Sequence, residues 1–555
     1  MKKIIILALN ARYTHSNLAL FYLRNSIEEL SYNIELLQYS INMSKTRILG
    51  NLVTKAPDIL AISVYIWNKP LVEHLLTAIK QILPTTKIVL GGPEAGYNSS
   101  YWLSLPYQPD YIIKGAGERA FRTLALNDFS SENQVISLPT KHFQYSTFPY
   151  RSEDLDELSN HYIYYESSRG CPFKCSFCLS SRTDQYLEYK NIEDIKDDLT
   201  KILAHNPKIV KFVDRSFNAN RKIAREVWKF INSLNVETIF HFEIHPAILE
   251  EIDFSILEST PKERIQFEIG IQSTNPKTLQ ETNRNFTFDK IKSNISKLIK
   301  LKNIHIHLDL IAGLPYEDKD SFLNSLNDLL LLTPDVIQLG FLKVLPGTLM
   351  YDKRDEYQII YDSEVPYQIF QNKWLSFNDM QYLLLLEDTF EVYYNSERFK
   401  TTFEELISEF NNPVDLFKSF LNHISPDTDY FLMNWKDRFY IIYDYLTTIL
   451  PDNQKDFITD CLTWDWINHS RKDNQPPFLT NPQSRIFRNR IFDELKTEKK
   501  DKWHQLLGEE SKNLKKCSYF HPLSERFKRD FLEGDEYILI FKEKHVTLAK
   551  AIFDD

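Results

Sequence analysis

The stretch Glu166-Ser-Ser-Arg-Gly-Cys171-Pro-Phe-Lys-Cys175-Ser-Phe-Cys178 decides the fold. Three thiols fall within eight residues at C-x3-C-x2-C spacing, directly after the apolar run Tyr162-Ile-Tyr-Tyr165. That run reads as a strand, so the thiols occupy the loop at a strand's carboxyl end, where parallel α/β folds place their chemistry. Thiolates packed this closely select iron–sulfur clusters, zinc or copper(I). Only three ligands are local, because Cys461 and Cys517 lie far downstream. A structural metal site closes its fourth position. An open fourth position on a [4Fe-4S] cluster instead leaves one iron for a substrate or cofactor.

Working outward, 555 residues suggest roughly three domains at ~150 residues each. Apolar residues make up 43% and charged residues 26%, the composition of an ordinary globular protein. A net charge of −10 disfavours a broad electrostatic grip on nucleic acid or anionic lipid, so neither is an expected partner. Five cysteines, three of them clustered, suit a reducing compartment rather than a disulfide framework, and a cytoplasmic location is expected. The opening Met1-Lys-Lys-Ile-Ile-Ile-Leu-Ala-Leu9 reads as a first strand, because Asn10-Ala-Arg-Tyr-Thr-His15 follows it in place of a cleavage site. No run of about eighteen apolar residues exists to span a membrane.

Glycine usage marks a boundary. Eleven of 13 glycines lie at or before Gly347, and none falls between there and Gly508. Tight strand-to-helix turns need glycine and long helices avoid it. The chain therefore divides by expectation into an α/β domain over 1–130, a linker over 131–160, a second α/β domain over 161–350 and a mostly helical domain over 351–555.

Residues 1–130 alternate apolar strands (4–9, 34–37, 59–66, 88–90 and a last short one at 111–113) with helical patterns at 17–30 and 71–83. This predicts a parallel, doubly wound sheet. Three strand-end loops look specialised: 10–16, Gly91-Gly-Pro-Glu-Ala-Gly96 and Lys114-Gly-Ala-Gly-Glu118. Their glycines let backbone approach a large ligand. No G-x-G-x-x-G follows the first strand, which disfavours a dinucleotide. Downstream of the thiols, strands are predicted at 209–214, 238–243, 264–272, 304–311 and 336–341, separated by helical stretches, with polar residues recurring at strand ends. Six strands in this pattern suit a site assembled from loops on one barrel face.

The cysteine loop, with Phe177 just before its last cysteine, closely resembles the cluster motif of radical S-adenosylmethionine (SAM) enzymes, and the strand series resembles their partial (β/α)6 barrel. The GGPE loop and the 110–118 segment resemble the cobalamin-binding domain fused to many such enzymes, here without the Asp-x-His-x-x-Gly motif that supplies a histidine to cobalt. The resemblance implies a Rossmann-like cobalamin domain, a radical SAM barrel, and three cofactors: a [4Fe-4S] cluster, SAM and cobalamin. It implies that Cys171, Cys175 and Cys178 ligate iron and that Phe177 helps seat adenine. Glu268 and Gln272 would contact the ribose or methionine of SAM, Arg284 would face its carboxylate, Glu243 would hold its ammonium, and Gly313 would flank adenine. Asn10, Gly91, Gly92, Glu94, Gly115 and Glu118 would line the cobalamin site. Each polar assignment has a rival, since strand-end carboxylates and amides also pair with arginine or backbone.

The resemblance further implies reductive cleavage of SAM to a 5′-deoxyadenosyl radical and methylation of an unactivated carbon. Related chemistry is ring formation or rearrangement. Partners would be a small-molecule or peptide substrate and an electron donor such as flavodoxin or ferredoxin. Rival readings are a non-catalytic iron–sulfur electron carrier and a zinc-stabilised scaffold. Beyond 350, helical patterns at 375–394, 403–410, 413–424 and 439–450 and a closing hairpin from 536 resemble the C-terminal domain of unknown function found on one subgroup. Five of eight tryptophans lie there, a sign of core packing. Cys461 and Cys517 read as buried thiols.

Overall fold

The computed structural model describes residues 1–138, 148–181, 187–424, 433–470, 475–480, 484–497, 501, 521, 523–531, 537–541 and 546–550. The chain divides into two compact units, residues 1–325 with 339–380 and residues 326–338 with 381–555.

The first strand, Lys3–Asn10, is an almost unbroken apolar run buried on both faces. It sits inside a parallel six-stranded sheet in the order Asn33–Ser40, Lys3–Asn10, Ile59–Ser63, Lys87–Gly91, Tyr111–Ile113, Val135–Ile136. Such strands leave no face for water, so helices cover both sides. One face receives Val72, Leu75, Leu76 and Ile79 of helix Lys69–Ile82 together with Ile48 and Leu52 of Lys45–Lys55. The other receives Leu20 of Leu18–Ser26 and Phe121 and Leu124 of Gly117–Leu126. The strand order reverses between the first and third strands, a switch point that opens a crevice at their carboxyl ends.

Tyr111–Ile113 is not the last strand. Val135–Ile136 pairs parallel to it and extends the sheet into the expected linker. Two residues carry no readable period. The acidic run that follows forms helix Ser152–Glu157, whereas residues 139–147 of that stretch lie outside the described residues.

The second sheet joins Ile163–Tyr165, Ile209–Phe212, Ile239–Glu243, Ile265–Gln272, His305–Ala312 and Val336–Phe341, each strand beside its predecessor. The first five pair in parallel. Burial alternates strictly along the third, fourth and fifth strands. The apolar face carries an aromatic layer, with Phe242 4.5 Å from Phe212 and 4.4 Å from Phe217, and Trp228 of helix Arg221–Ser233 5.7 Å from Phe267. The opposite, inner face carries Lys211, His241, Glu243, Glu268, His307 and Asp309. Asparagines cap the crossover helices: Asn191 accepts from Glu193 N and Asn220 from Ile223 N, satisfying amides that a helix start leaves bare.

The first strand of this sheet is an edge strand, and loop 10–17 of the N-terminal sheet covers it. Tyr162 N donates to Thr14 O at 2.8 Å, Ser16 Oγ donates to Tyr162 O at 2.8 Å, and His15 Nδ1 meets Tyr164 Oη at 2.6 Å.

The second unit is built from helices including Lys400–Glu409, Val414–His423, Trp435–Ile449 and Asp452–His469. Its core stacks Phe390 on Phe417 and Phe399 against Phe439, each 4.2 Å apart, and buries Trp466 and Cys461. Strands Tyr537–Phe541 and Val546–Lys550 form the antiparallel hairpin expected at the end. Cys517 and Trp503 lie outside the described residues. Among those described, no helix is long and apolar enough to cross a membrane.

Candidate functional site

Cys171, Cys175 and Cys178 follow the carboxyl end of the first barrel strand, half-buried and in no disulfide. Cys178 N donates to Cys175 O at 3.2 Å, closing the turn that carries the last two. Both backbone groups of the intervening Ser176 are tied down, its N–H to Thr282 O at 3.1 Å and its carbonyl to Met350 N at 2.9 Å. Phe177 follows, half-buried. Asp214 secures the loop from beneath, accepting Ser167 Oγ at 2.6 Å and Ser167 N at 3.1 Å. Burial lifts that carboxyl to about 6, against the opposing pull of the serine hydrogen bonds. Burial also pushes the Cys171 and Cys175 thiols up.

Arg284 reaches the same loop. Its Nη1 donates to Cys175 Sγ at 3.4 Å, and its Nη2 donates to Gly270 O. Its guanidinium thus lies against the proposed cluster ligand. The aromatic rings of Phe173 and His245 stack at 4.3 Å beside it. Burial, with the Arg284 charge, drives His245 down to about 3, so this imidazole is neutral.

Glu243 and Glu268 are register partners on adjacent strands, facing the same side. Arg215 Nη1 stands 3.4 Å from Glu243, and His241 Nε2 stands 3.1 Å from Glu268. Their environments diverge. Burial raises the Glu243 carboxyl, while the His241 hydrogen bond lowers that of Glu268. Gln272 closes the fourth strand in a left-handed conformation (φ 72°) with its side chain folded over Gly270. Gly313 is also left-handed (φ 95°), but the space beside it is filled: a Cβ there would come within 2.9 Å of Ile369. Glu317, further along that loop, is fully buried and accepts from Ser273 Oγ at 2.5 Å and Ser325 Oγ at 3.1 Å.

A cavity of about 930 Å3 opens at the switch point of the first sheet and extends to Glu166 and Arg169, just upstream of the first cysteine. That is the upper range for ligand pockets. Its wall includes Asn10, Gly91, Gly92, Gly115 and Glu118, and on the barrel side Tyr164, Arg169 and Arg215. Asn10 organises its loop, donating from Nδ2 to His15 O at 2.9 Å and to Gln38 Oε1 at 3.1 Å. Gly92 is required sterically, because a Cβ at its φ of 91° would lie 2.6 Å from Val64 O. Glu94 is not in the wall. Its carboxylate accepts Tyr367 Oη at 2.7 Å and Asn98 Nδ2 at 3.1 Å.

Four wall residues were not singled out from the sequence. Tyr65 and Trp67 stack at 4.3 Å with planes 7° apart, and Tyr22 and Arg169 sit beside Glu118. Arg169, two residues before Cys171, is the one that position alone could have flagged. Its Nη2 donates to Glu118 Oε1 at 2.8 Å and to Glu166 Oε2 at 2.7 Å, so it joins the two sheets' loops.

Comparison with known proteins agrees with this layout. Residues 4–125 match the B12 binding domain, 165–329 the radical SAM superfamily and 355–541 a protein family of unknown function, DUF4080. The cobalamin-dependent radical SAM methyltransferase TokK of Streptomyces tokunonensis is 23% identical over 306 residues, 49% of this chain and 45% of that protein. The 2-(S-pantetheinyl)-carbapenam-3-carboxylate methyltransferase of Streptantibioticus cattleyicolor is 21% identical over 313 residues, 49% of this chain and 45% of that one. The chain thus spans about half the length of the curated relatives it matches. Among solved structures, OxsB with aqua-cobalamin aligns with a TM-score of 0.58 at 14% identity, covering 83% of this chain and 78% of OxsB. TsrM of Kitasatospora setae, with tryptophan substrate and a SAM analogue, aligns at 0.54 and 15%, covering 64% and 76%. In chain order, the matched regions are therefore a B12 binding domain, a radical SAM domain and a DUF4080 domain.

Proposed function

We propose that this chain is a cobalamin-dependent radical SAM enzyme that methylates an unactivated carbon of a small-molecule or peptide substrate. The observation that carries the reading is one cavity lined both by the switch-point loops of the first sheet and by Glu166 and Arg169, which lead into the cysteines of the second. The names of the relatives support the substrate class, since a carbapenam carboxylate and tryptophan are both small molecules.

The residues present fit the cofactors. Cys171, Cys175 and Cys178 offer three thiolates with no local fourth ligand, as a cluster with one open iron requires. Gly91 and Gly115 line the cavity with open space where a Cβ would stand, so a ligand can approach backbone there. Bound there, the cluster supplies one electron to cleave the sulfonium of SAM, and cobalamin supplies a methyl carrier. The protein positions, charges and dries the site. Arg284 donates to Cys175 Sγ, which favours the thiolate and tunes the cluster. Glu268, held ionised by His241, and Glu243, held less so, offer two carboxylates of different basicity to SAM. Gln272 ends the strand that carries Glu268, and Phe177 precedes the last cysteine of the loop. Glu94 acts through the shape of its loop. A flavodoxin or ferredoxin would deliver the electron.

Anaerobic reconstitution with iron and sulfide, then dithionite and SAM, tests the reading. The wild type is expected to release 5′-deoxyadenosine and Cys178→Ala to fall to the protein-free background. A redox-active cluster that releases none would sink the enzyme in favour of an electron carrier. Zinc without iron would sink both.

A further inference from the structure

The turn that follows the last barrel strand, Leu345-Pro-Gly-Thr-Leu-Met350, touches both halves of the candidate site. On one side stands the cavity rim of the first sheet, whose wall includes Tyr97 of the short helix Pro93–Tyr97. Gly347 is left-handed (φ 90°), and a Cβ there would lie 2.7 Å from the Tyr97 ring, so that ring rests directly on the turn's backbone. On the other side, Met350 N donates to Ser176 O at 2.9 Å, between Cys175 and Cys178. Gly347 and Met350 are three positions apart, a reach of at most about 11 Å of chain.

Neighbouring bonds fix the turn. Thr348 Oγ1 donates to Leu345 O at 2.8 Å and accepts from Tyr351 N at 3.1 Å. Val344 N donates to Tyr367 O at 2.9 Å, which seats Tyr367 beside the turn, and Tyr367 Oη donates to Glu94 Oε1 on the rim helix at 2.7 Å. Glu94 and Tyr367 are each 4% exposed, so that bond is costly to lose. Further on, Lys353 Nζ donates to Glu281 Oε1 at 2.8 Å, at the end of helix Pro276–Glu281, and the next carbonyl, Thr282 O, accepts from Ser176 N. Gly347 and Tyr367 stand outside the cavity wall, so they act from behind the site. From this we infer that the 345–350 turn, with Tyr367, is a spacer that sets how far the rim of the first sheet stands from the cysteine loop of the second. The inference rests on the reading above, since a spacer matters where two cofactors serve one substrate. Placement on this scale has large effects: a shift of about 1 Å can cost about 100-fold in rate.

Spin coupling between the two cofactors reads that distance. The full chain is reconstituted anaerobically with iron and sulfide and loaded with cobalamin. Pulsed electron paramagnetic resonance then follows the cobalt(II) signal with the cluster oxidised and with it reduced. The reduced cluster carries an unpaired electron, which speeds relaxation of the cobalt spin more the closer it lies. Gly347→Ala must push Tyr97 back and is expected to lose much of that enhancement. Tyr367→Phe only unties Glu94 and should lose less, with the cluster's own spectrum unchanged in the absence of cobalamin. A merely structural role would lower the urea midpoint of both variants and leave relaxation as in the wild type; that result overturns the spacer. A wild type that holds both cofactors without any enhancement overturns it too. If Gly347→Ala does not fold or load, Tyr367→Phe decides alone, and wild-type relaxation in it overturns the inference. A wild type that takes up no cobalamin or builds no cluster overturns the reading above instead.

Discussion

Two six-stranded sheets built from the same strand–helix unit differ in what their faces carry. The N-terminal sheet is apolar on both sides, with Ile5, Leu7 and Leu9 against one helix layer and Ile4, Ile6 and Ala8 against the other. The barrel sheet alternates: aromatic rings on the helix side, Lys211, His241, Glu268 and His307 on the other. A sheet filled on both faces can bind only along its carboxyl edge, where the cavity lies. A curved sheet with a polar inner face can bind within it. The same unit therefore yields an edge site in one half and an interior site in the other.

The harshest way to break this contrast is a charge in the first sheet. Leu7→Asp is expected to cost at least about 4–5 kcal/mol and unfold the N-terminal half, read by limited proteolysis and circular dichroism. If the variant folded normally, the two sheets would not differ as described. Next comes the barrel's outer layer: Phe242→Ala should cost about 3–5 kcal/mol by urea denaturation, since Phe212, Phe217 and Phe267 surround the ring.

Glu317 sharpens the comparison through pH. Burial lifts its carboxyl to about 8 from an ordinary 4.5. Between these values the native chain keeps a proton that the unfolded chain has lost, so this group's contribution to stability falls as pH rises, by about 1.4 kcal/mol per pH unit. Glu317→Gln should remove that slope and raise stability at neutral pH by roughly 3 kcal/mol, because the amide needs no proton taken up on folding; an unchanged slope would mean the carboxyl is ionised. The smallest effect is expected at Lys211. Burial lowers its pKa, and among the described residues it forms no ion pair; the Tyr162 ring centroid lies 5.1 Å from its Nζ. Lys211→Met should alter the urea midpoint by less than about 1 kcal/mol, or raise stability, in contrast to Leu7→Asp.

Much of this was legible in the chain. Continuous apolar runs marked the first sheet, strict alternation marked the barrel strands, and three spaced cysteines marked the loop. The remainder was hidden for identifiable reasons. Val135–Ile136 is too short to carry a period. Tyr22 lies on a helix whose spacing reads as core, and only the fold puts it in the cavity wall. Glu94 looked like a ligand contact, yet its partner Tyr367 stands 273 positions away with no local signal. The role of Arg169 depends on Glu118 of the other sheet, a pairing that sequence spacing does not encode.

The hydrogen bonds that join Tyr162 to Thr14 and Ser16 bear on how freely such a protein can be recombined. The N-terminal module shields a strand edge that would otherwise present bare amides and carbonyls to any passing chain. A barrel excised from its upstream neighbour should therefore be prone to self-association. A chimera joining this barrel to a relative's corrin module should succeed only if the 14–16 turn travels with the barrel.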